Sequence, residues 1–330
     1  MTCIEKLYTA LPDLAQGDYS SVAHHLAEDV RWCVAHPVND LVGPDQVAAD
    51  FLLPLINALP DLERKTFIQL PGEDNGQHWV DGCGYFVGTF SNPLFGIPPT
   101  GKTLYLRYTE MIRIENDKIA ECYLIPDFLD AMIQADVYPI RAGLGHNGLI
   151  MPPSTMDGVI HDPDLADSTY SQSSIKLVMD MLDCLRTYDG ENIESMNLEK
   201  FWHPDFMWYG PAGIGTTRGI RGFREQHQGP FLKAFPDRDV DHHINTIASG
   251  DYVSTGGWPH MHGTHTGSGW LGMPATNRHL SMRVMDIWRR EGNTLRENWV
   301  AIDLPDMLMQ MGFDVFAQMK IITRTGESNG

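Results

Sequence analysis

The sequence has few cysteines and contains no long apolar run. Its five cysteines, at positions 3, 33, 83, 122 and 184, form neither a C-x-x-C pair nor an even set. This distribution predicts reduced thiols rather than a disulfide framework. No apolar stretch approaches the roughly 20 residues that span a membrane, and residues 1–20 lack the basic and apolar regions of a secretion signal. We therefore expect a cytoplasmic protein with no membrane partner.

Basic residues are also scarce. The chain has 24 Lys and Arg against 43 Asp and Glu, which gives a formal net charge of −19. Proteins that bind nucleic acids present a basic face to the phosphates, so we expect no nucleic-acid partner. With 330 residues, of which 42% are hydrophobic and 20% charged, the chain is long enough for two soluble domains with their own cores.

The chain repeats itself at a constant offset from Trp32 to Gln134. The offset pairs identical residues, among them Trp32 with Trp208, Gly96 with Gly272, Arg107 with Arg283, Asp127 with Asp303 and Gln134 with Gln310. Such a persistent offset indicates a tandem duplication. Near Gly88 and Gly263 the offset is smaller by one residue, and it returns to its usual value after the next loop. This change predicts a one-residue insertion in that loop of the second copy. We divide the chain into a first copy (1–140), a linker (141–172), a second copy (173–316) and a flexible tail (317–330).

Each copy predicts helices followed by antiparallel strands. Residues 174–188 carry apolar residues at helical spacing, and 219–235 predict a second helical region that is interrupted near Gly229-Pro230. Alternating stretches joined by short turns at 115–118 and 291–294 predict hairpins. The predicted fold class is α+β, with a curved antiparallel sheet wrapped against helices in each copy.

Two aspartates of the second copy are candidates for acid/base chemistry. A base that removes a proton beside a carbonyl needs a pKa near neutrality, and an apolar pocket raises the pKa of a carboxyl group. Asp303 ends the last strand, on the face that also carries Trp299. Asp286 lies on the preceding strand, with Arg283 on the opposite face. The alternation does not show which face lines a pocket.

Two segments of the second copy resemble the SnoaL-like polyketide cyclase family. They are the loop GTHTG at 263–267 with LGMP at 271–274, and the ending RENWVAIDLPDMLMQMG at 296–312. The first copy is similar through GTFSNPLFGIPPTGK and AECYLIPDFLDAMIQ. The resemblance implies two tandem cone-shaped α+β barrels of the nuclear transport factor 2 type, in which helices close a bent sheet around an apolar pocket. It also implies intramolecular aldol ring closure on a small polyketide-like carbonyl compound, without metal or organic cofactor. The implied acid/base residues are Asp303 and, in the first copy, Asp127.

We expect the competent site in the second copy, because Phe90 stands in the first copy where the second has the loop histidine, His265, and cannot transfer a proton. The predicted catalytic residues are Asp303, His265 and Asp286. The predicted contacts for a small apolar or aromatic molecule are Trp299, Trp258, His260, Arg283, Trp208, Met273 and Asp127. No metal site is predicted, since His260 and His262 share a strand face and His265 points away unless a bulge at Gly263 intervenes.

Each of these assignments has a structural alternative. Asp303 and Asp127 precede short helices, where Asp is a favoured N-cap. For His265 the alternative is a structural role, and for Asp286 it is an ion pair with Arg283 or Arg289. Simple core packing is the alternative for Trp208, Trp258, Trp270 and Met273.

The function has alternatives as well. They are a non-catalytic module that binds a small molecule, and a hydrolase or dehydratase on the same fold. We expect the two copies to pair through their sheets as an internal pseudo-dimer, with homo-oligomers of the whole chain left open.

Overall fold

In a computed structural model the described residues are 2–166, 168–188 and 190–327. In the first copy two strands lie between the helical regions, so the order differs from the predicted helices followed by antiparallel strands. Its helices are α1 (Cys3–Thr9), α2 (Leu11–Ala15), α3 (Ser20–Ala23), α4 (Gly43–Val47), α5 (Leu53–Ala58) and α6 (Phe128–Gln134). Its strands are β1 (Leu26–Val34), β2 (Asn39–Val42), β3 (Glu63–Asp74), β4 (Gln77–Thr89), β5 (Thr103–Glu115) and β6 (Lys118–Pro126).

The second copy repeats this order. Its helices are α7 (Thr169–Leu185), α8 (Gly219–Phe223), α9 (Gly229–Ala234) and α10 (Leu304–Met311), followed by α11 (Val315–Glu327). Its strands are β7 (Trp202–Tyr209), β8 (Thr217–Arg218), β9 (Asp239–Val240), β10 (Asn245–Ser249), β11 (Tyr252–Thr264), β12 (His279–Glu291) and β13 (Thr294–Ile302). Among the described residues no helix is both long and apolar enough to cross a membrane.

Both copies interrupt their central helix at the same place. A π-helical turn covers Ala48–Leu52 in the first copy and Arg224–Gln228 in the second. One residue after each turn comes a Pro, Pro54 or Pro230, which has no N–H to donate to the preceding turn of helix. The interruption predicted near Gly229-Pro230 is therefore a π-turn, a widened stretch of helix that is often found at functional sites.

The two sheets follow the same path. In the first sheet the order is β2-β1-β6-β5-β4-β3, and in the second it is β8-β7-β13-β12-β11-β10, with β9 pairing with β11. Four strands form an antiparallel meander, and β1 or β7 is added parallel to the last strand of its meander. The α+β class and the duplication are confirmed. The two sheets are curved and open, and each is mixed because one strand joins it in parallel.

One face of each sheet packs against the helices of its own copy. The opposite face packs against the other copy. The sheets approach closely, since a Cβ added at Gly256 would lie 2.5 Å from Cε of Met111. The buried guanidinium of Arg107 donates hydrogen bonds to the carbonyls of Gly210 at 2.6 Å and Tyr209 at 2.8 Å. The sheets are therefore buried on both faces, which removes the alternation of polar and apolar residues that would mark an outer face.

The linker and the tail pack against this pair of sheets. The backbone N–H of Ile150 donates to the hydroxyl of Tyr85 at 2.6 Å, and the carbonyl of Met151 accepts the indole N–H of Trp299 at 2.9 Å. The tail predicted to be flexible is helix α11 as far as Glu327. Within it, Met319 is fully buried. Residues 328–330 of the predicted tail lie outside the described residues.

Candidate functional site

The second copy encloses a cavity of about 540 Å³ between its helices and the inner face of β11–β13. Its wall is mainly aromatic and aliphatic. The aromatic members are Trp202, Trp208, Phe223, Phe231, Trp270 and Trp288. The polar members of the lining are Asp183, Arg186, His227, Gln228, Arg238, Asp239, His243, His260, Asp286 and Asn298. A concave apolar site with a few polar groups is the usual form of a small-molecule site.

Among the described residues of β11–β13, Asp286 alone presents a carboxyl group to this cavity, whereas Asp183 and Asp239 lie elsewhere in the lining. It lies in the middle of β12, opposite Val300 of β13. Its Oδ1 accepts a hydrogen bond from the side-chain amide of Asn298 at 3.2 Å. Burial raises the pKa of Asp286 to about 7, although this hydrogen bond acts in the opposite direction. The group is therefore divided between acid and base near neutral pH.

Asn298 holds this carboxyl group from the neighbouring strand. Its side chain is fully buried, and its amide also donates to the carbonyl of Ile287 at 3.2 Å. The amide oxygen has no hydrogen-bond partner among the described residues. Buried polar atoms are rarely left unpaired, so this oxygen marks a place for a donor group of a ligand or for water.

His260 faces the cavity from an irregular part of β11. Between the pairs Gly257–Val284 and Met261–Met282, β11 has extra residues that find no partner on β12, which is a β-bulge. Burial lowers the pKa of His260 to about 3, so the imidazole is neutral. Its ring lies 4.9 Å from that of His243, and neither of its nitrogens has a partner among the described residues. A neutral imidazole of this kind can donate to an oxygen of a ligand.

An aromatic stack forms another wall. The indole of Trp208 stacks on the imidazole of His227, with ring centroids 4.1 Å apart and planes 16° apart. His227 belongs to the π-turn, and burial lowers its pKa to about 3. Phe223 packs edge-on against both rings. This flat, uncharged surface suits a planar ligand.

Asp303 does not line the cavity. Its fully buried carboxyl group accepts hydrogen bonds from Nη1 of Arg283 and from the backbone N–H of His36 in the first copy, both at 3.0 Å. It also caps α10 through the N–H of Asp306 at 3.1 Å. Period-two alternation places Asp303 on the face that meets the first copy, opposite the face of Asn298. The predicted position of Asp303 at the mouth of a pocket is therefore wrong.

Asp127 has the equivalent position in the first copy. It caps α6 through the N–H of Asp130 at 3.0 Å and accepts the N–H of Ala212 in the second copy at 2.8 Å. Trp299, Arg283 and Trp258 lie on the same side of the second sheet. Trp299 bonds the linker, and Arg283 lies 4.5 Å from the ring of Trp258. These four residues do not line this cavity, and their contact with a ligand stays a prediction.

His265 and Met273 lie in the loop between β11 and β12, outside the cavity lining. His265 is fully buried against Phe235, and its Nδ1 lies 3.1 Å from the hydroxyl of Thr276. His265 and Phe90 occupy equivalent positions in the two copies. Each donates its backbone N–H to a carbonyl on the other side of its loop. Met273 closes a turn with Gly269. These contacts agree with structural roles for both residues, whereas Trp208, His260 and Asp286 do line the cavity.

Sequence reasoning missed several residues of this site, namely Asn298, His227, His243, Trp202, Trp288 and Arg238. The available signal was the comparison of the copies. Asn298 stands where the first copy has Cys122, and His227 stands where it has Phe51. Polar residues of the second copy that replace apolar ones of the first mark the cavity. In the described ranges, no three His, Cys, Asp or Glu side chains form a group that could hold a metal ion.

The first copy has filled the space that corresponds to the surroundings of Asp286. Glu110 stands in place of Asp286, and the guanidinium of Arg64 forms an ion pair with it. That guanidinium lies 5.0 Å from the ring of Tyr8 and 5.1 Å from the ring of Tyr108. The ring of Phe86 stacks on Tyr108 at 4.4 Å. The space around Glu110 is therefore packed, and the carboxylate is neutralised by an arginine. Beyond Arg64 the first copy keeps a cavity of about 530 Å³, lined among others by Tyr8, Pro60 and Leu62.

The family profile of SnoaL-like polyketide cyclases matches the chain twice, over residues 5–135 and 181–311. The chain belongs to the SnoaL-like polyketide cyclase family. Both matches end beyond the N-capping aspartates Asp127 and Asp303, so each SnoaL-like copy includes its contact with the other copy. No curated protein matches this SnoaL-like chain.

Solved structures resemble one SnoaL-like copy at a time. IdmH from Streptomyces antibioticus is 24% identical, with 41% of this chain and 97% of that chain covered and a TM-score of 0.33. TsrD from Streptomyces laurentii is 22% identical, with 42% and 96% covered and a TM-score of 0.33. An NTF2-like protein from Burkholderia xenovorans LB400 is 15% identical, with 44% and 99% covered and a TM-score of 0.35.

Proposed function

We propose that the second copy is a cofactor-independent acid/base enzyme with Asp286 as its acid/base residue. Its reaction is an intramolecular aldol ring closure within a small, polyketide-like carbonyl compound. The observation that supports this proposal is the position of Asp286, whose carboxyl group faces an aromatic cavity and has a pKa of about 7. A carboxyl group with this pKa can accept and return a proton at neutral pH.

The proposed reaction uses the same group twice. The Asp286 carboxylate removes a proton from the carbon next to one carbonyl group, and the resulting enolate attacks the carbon of a second carbonyl group in the same molecule. A C–C bond forms, and the new alkoxide takes the proton back from Asp286, so that no atom is gained or lost. Asn298 orients the carboxylate through its amide. The neutral imidazole of His260 is placed to donate to the developing oxyanion.

The contacts of Asp303 support a different role from the one that the resemblance implied. Its carboxyl group is engaged by Arg283, His36 and Asp306, and it shares no cavity with Asp286. With the equivalent contact between Asp127 and Ala212, these bonds support an internal pseudo-dimer in which the first copy is a scaffold. The free cysteines are consistent with a place in the reducing cytoplasm.

Exchange of α protons tests the proposal without knowledge of the natural substrate. The probe is 2-tetralone in D2O, a planar ketone whose deuterium uptake is followed by NMR. We expect the wild type to accelerate uptake and Asp286→Asn to lose about a hundredfold or more of that acceleration. The matched control, Asp303→Asn, keeps an N-cap and should keep the activity. Full activity in Asp286→Asn, or its loss in a folded Asp303→Asn, would contradict the assignment. Binding of 2-tetralone without exchange in the wild type would favour a non-catalytic binding module.

A further inference from the structure

We infer that the cavity of the second copy takes an elongated substrate with an acidic group at one end, and that Arg238 binds this group. The inference rests on the proposed function and adds the charge of the substrate to it. Arg238 lines the same cavity as Asp286 and precedes the short strand β9. The acidic group is a carboxylate or an ionised phenol, since both match the donors of a guanidinium.

The guanidinium of Arg238 has an unusual environment for this chain. It is partly buried, yet its only hydrogen bond within the described residues is from Nη2 to the carbonyl of Leu185, at 3.1 Å. The ring of Tyr188 lies 5.8 Å away. Burial lowers the pKa of Arg238 and no carboxylate opposes this effect. A charge that is partly removed from water without an opposite charge is costly, unless a ligand supplies one.

Other buried arginines of the chain have partners. Arg64 and Arg289 each form an ion pair with a buried glutamate. Arg107 and Arg290 have no acidic partner, but each donates to at least three oxygen atoms. Arg238 has one. Because acidic residues outnumber basic residues 43 to 24 in this sequence, the lack of a partner does not reflect a shortage of carboxylates.

The acidic residues nearest in sequence are directed elsewhere. The carboxylate of Asp237 accepts hydrogen bonds from the backbone N–H and the hydroxyl of Thr264, at 2.7 and 2.6 Å. The exposed Asp239 accepts the N–H of its neighbour Val240. Asp239 also lines the cavity, yet among the described residues no carboxylate acts on the charge of Arg238. The donors of Arg238 therefore remain available to a group within the cavity.

The positions of Arg238 and Asp286 set the shape of the ligand. A Cβ added at Gly263 would lie 3.2 Å from Cα of Arg238, and Gly263 pairs with Leu280 at the start of β12. Asp286 lies in the middle of that strand. The two charged groups are therefore separated along the sheet. A ligand that reaches both places its acidic group near Arg238 and its reacting carbonyl near Asp286, with a flat apolar body between them.

A pair of probes that differ only in charge tests this inference. The probes are 2-naphthoate and its neutral amide, 2-naphthamide, and their dissociation constants are measured by isothermal titration calorimetry. We expect the wild type to bind the naphthoate about tenfold more tightly, which is the effect of one charge-assisted hydrogen bond. Arg238→Gln should remove this preference by weakening the naphthoate alone. Raised salt should reduce the preference in the wild type, a test that needs no variant.

Arg221→Gln is the matched control. Arg221 of α8 lies outside the cavity lining, with its side chain 88% exposed and paired with Glu225 at 2.8 Å. We expect this variant to keep the preference. Equal affinities in the wild type, or a preference that survives Arg238→Gln, would overturn the inference.

The exchange of neutral 2-tetralone separates this inference from the proposed function. Absence of exchange in the wild type together with a naphthoate preference would overturn the proposed function alone. Exchange in the wild type together with failure of both naphthalenes to bind would overturn this inference alone.

Discussion

Asp303 in the second copy accepts the backbone N–H of His36 in the first copy at 3.0 Å. The reverse contact, from Ala212 of the second copy to Asp127 of the first, is 2.8 Å long. Each aspartate thus caps the helix that follows it and binds the chain of the other copy. The duplication has kept these residues at matching positions, and the structure gives a reason that does not involve catalysis.

Removal of the Asp303 carboxyl group should destabilise the protein. Asp303→Ala loses the cap of α10 and leaves Arg283 without its closest acidic partner, so we expect a loss of about 2–4 kcal/mol in the free energy of unfolding. Urea denaturation measures this change. Asp127→Ala removes the matching cap of α6, but Asp127 has no arginine partner like that of Asp303. We therefore expect a smaller loss in the free energy of unfolding. An unchanged stability combined with a loss of 2-tetralone exchange would instead support a catalytic Asp303.

The ion pair inside the first copy gives a second prediction. Arg64→Met leaves Glu110 buried without its partner, and we expect a loss of about 3–5 kcal/mol in the free energy of unfolding. Arg64→Met combined with Glu110→Leu should recover much of this loss, because no charge then remains buried. Urea denaturation of both single variants and the double variant measures the coupling. Binding of 2-naphthamide to the second copy should stay the same in the folded double variant. A double variant as unstable as Arg64→Met would contradict the account of a packed, charge-neutral core.

The duplication, the α+β class and the hairpins could be predicted from the sequence because they depend on local or repeated patterns. The hairpin after β5, for example, has Asn116 and Asp117 at positive φ, which these residue types tolerate. The tail could have been predicted as well. Val315 and Met319 are one helical turn apart, and both are buried.

The side of the sheet that carries the cavity could not be predicted, because both faces are buried. Asp286 and Asp303 each stand among apolar residues on their own face, and only the position of the first copy separates a cavity residue from an interface residue. The bulge that turns His260 into the cavity depends on the pairing of β11 with β12. Pairing of this kind is a tertiary property, and the sequence pattern of one strand does not reveal it.

The raised pKa of Asp286 predicts a pH-dependent difference in stability. Its value of about 7 lies above the usual 3.8, so the folded chain retains a proton that the unfolded chain has released. The stabilising contribution is complete below the unfolded pKa and is lost as the pH rises through about 7. Asp286→Asn cannot titrate. We therefore expect its stability relative to the wild type to increase by about 2–4 kcal/mol over that pH range.

Urea denaturation at several pH values measures this difference. Contributions from other buried carboxyl groups are common to both proteins and cancel in the comparison. Asp180→Asn, which changes an aspartate on the surface of α7, serves as the control and should show no such trend. A difference that is constant with pH would show that Asp286 titrates normally.

His260 should contribute to ligand chemistry at the expense of stability. Its buried imidazole has no hydrogen-bond partner among the described residues, so His260→Leu removes an unpaired polar group and should leave the protein at least as stable, by up to about 1–3 kcal/mol. The same variant should lose about tenfold or more of the acceleration of 2-tetralone exchange, because a donor to the oxyanion is absent.

His262→Leu is the control on the same strand. His262 lies outside the cavity lining, with its Nδ1 2.7 Å from Asp241, so its loss should lower stability slightly and leave exchange unchanged. Equal effects of the two substitutions on exchange would show that His260 has no special part in the reaction.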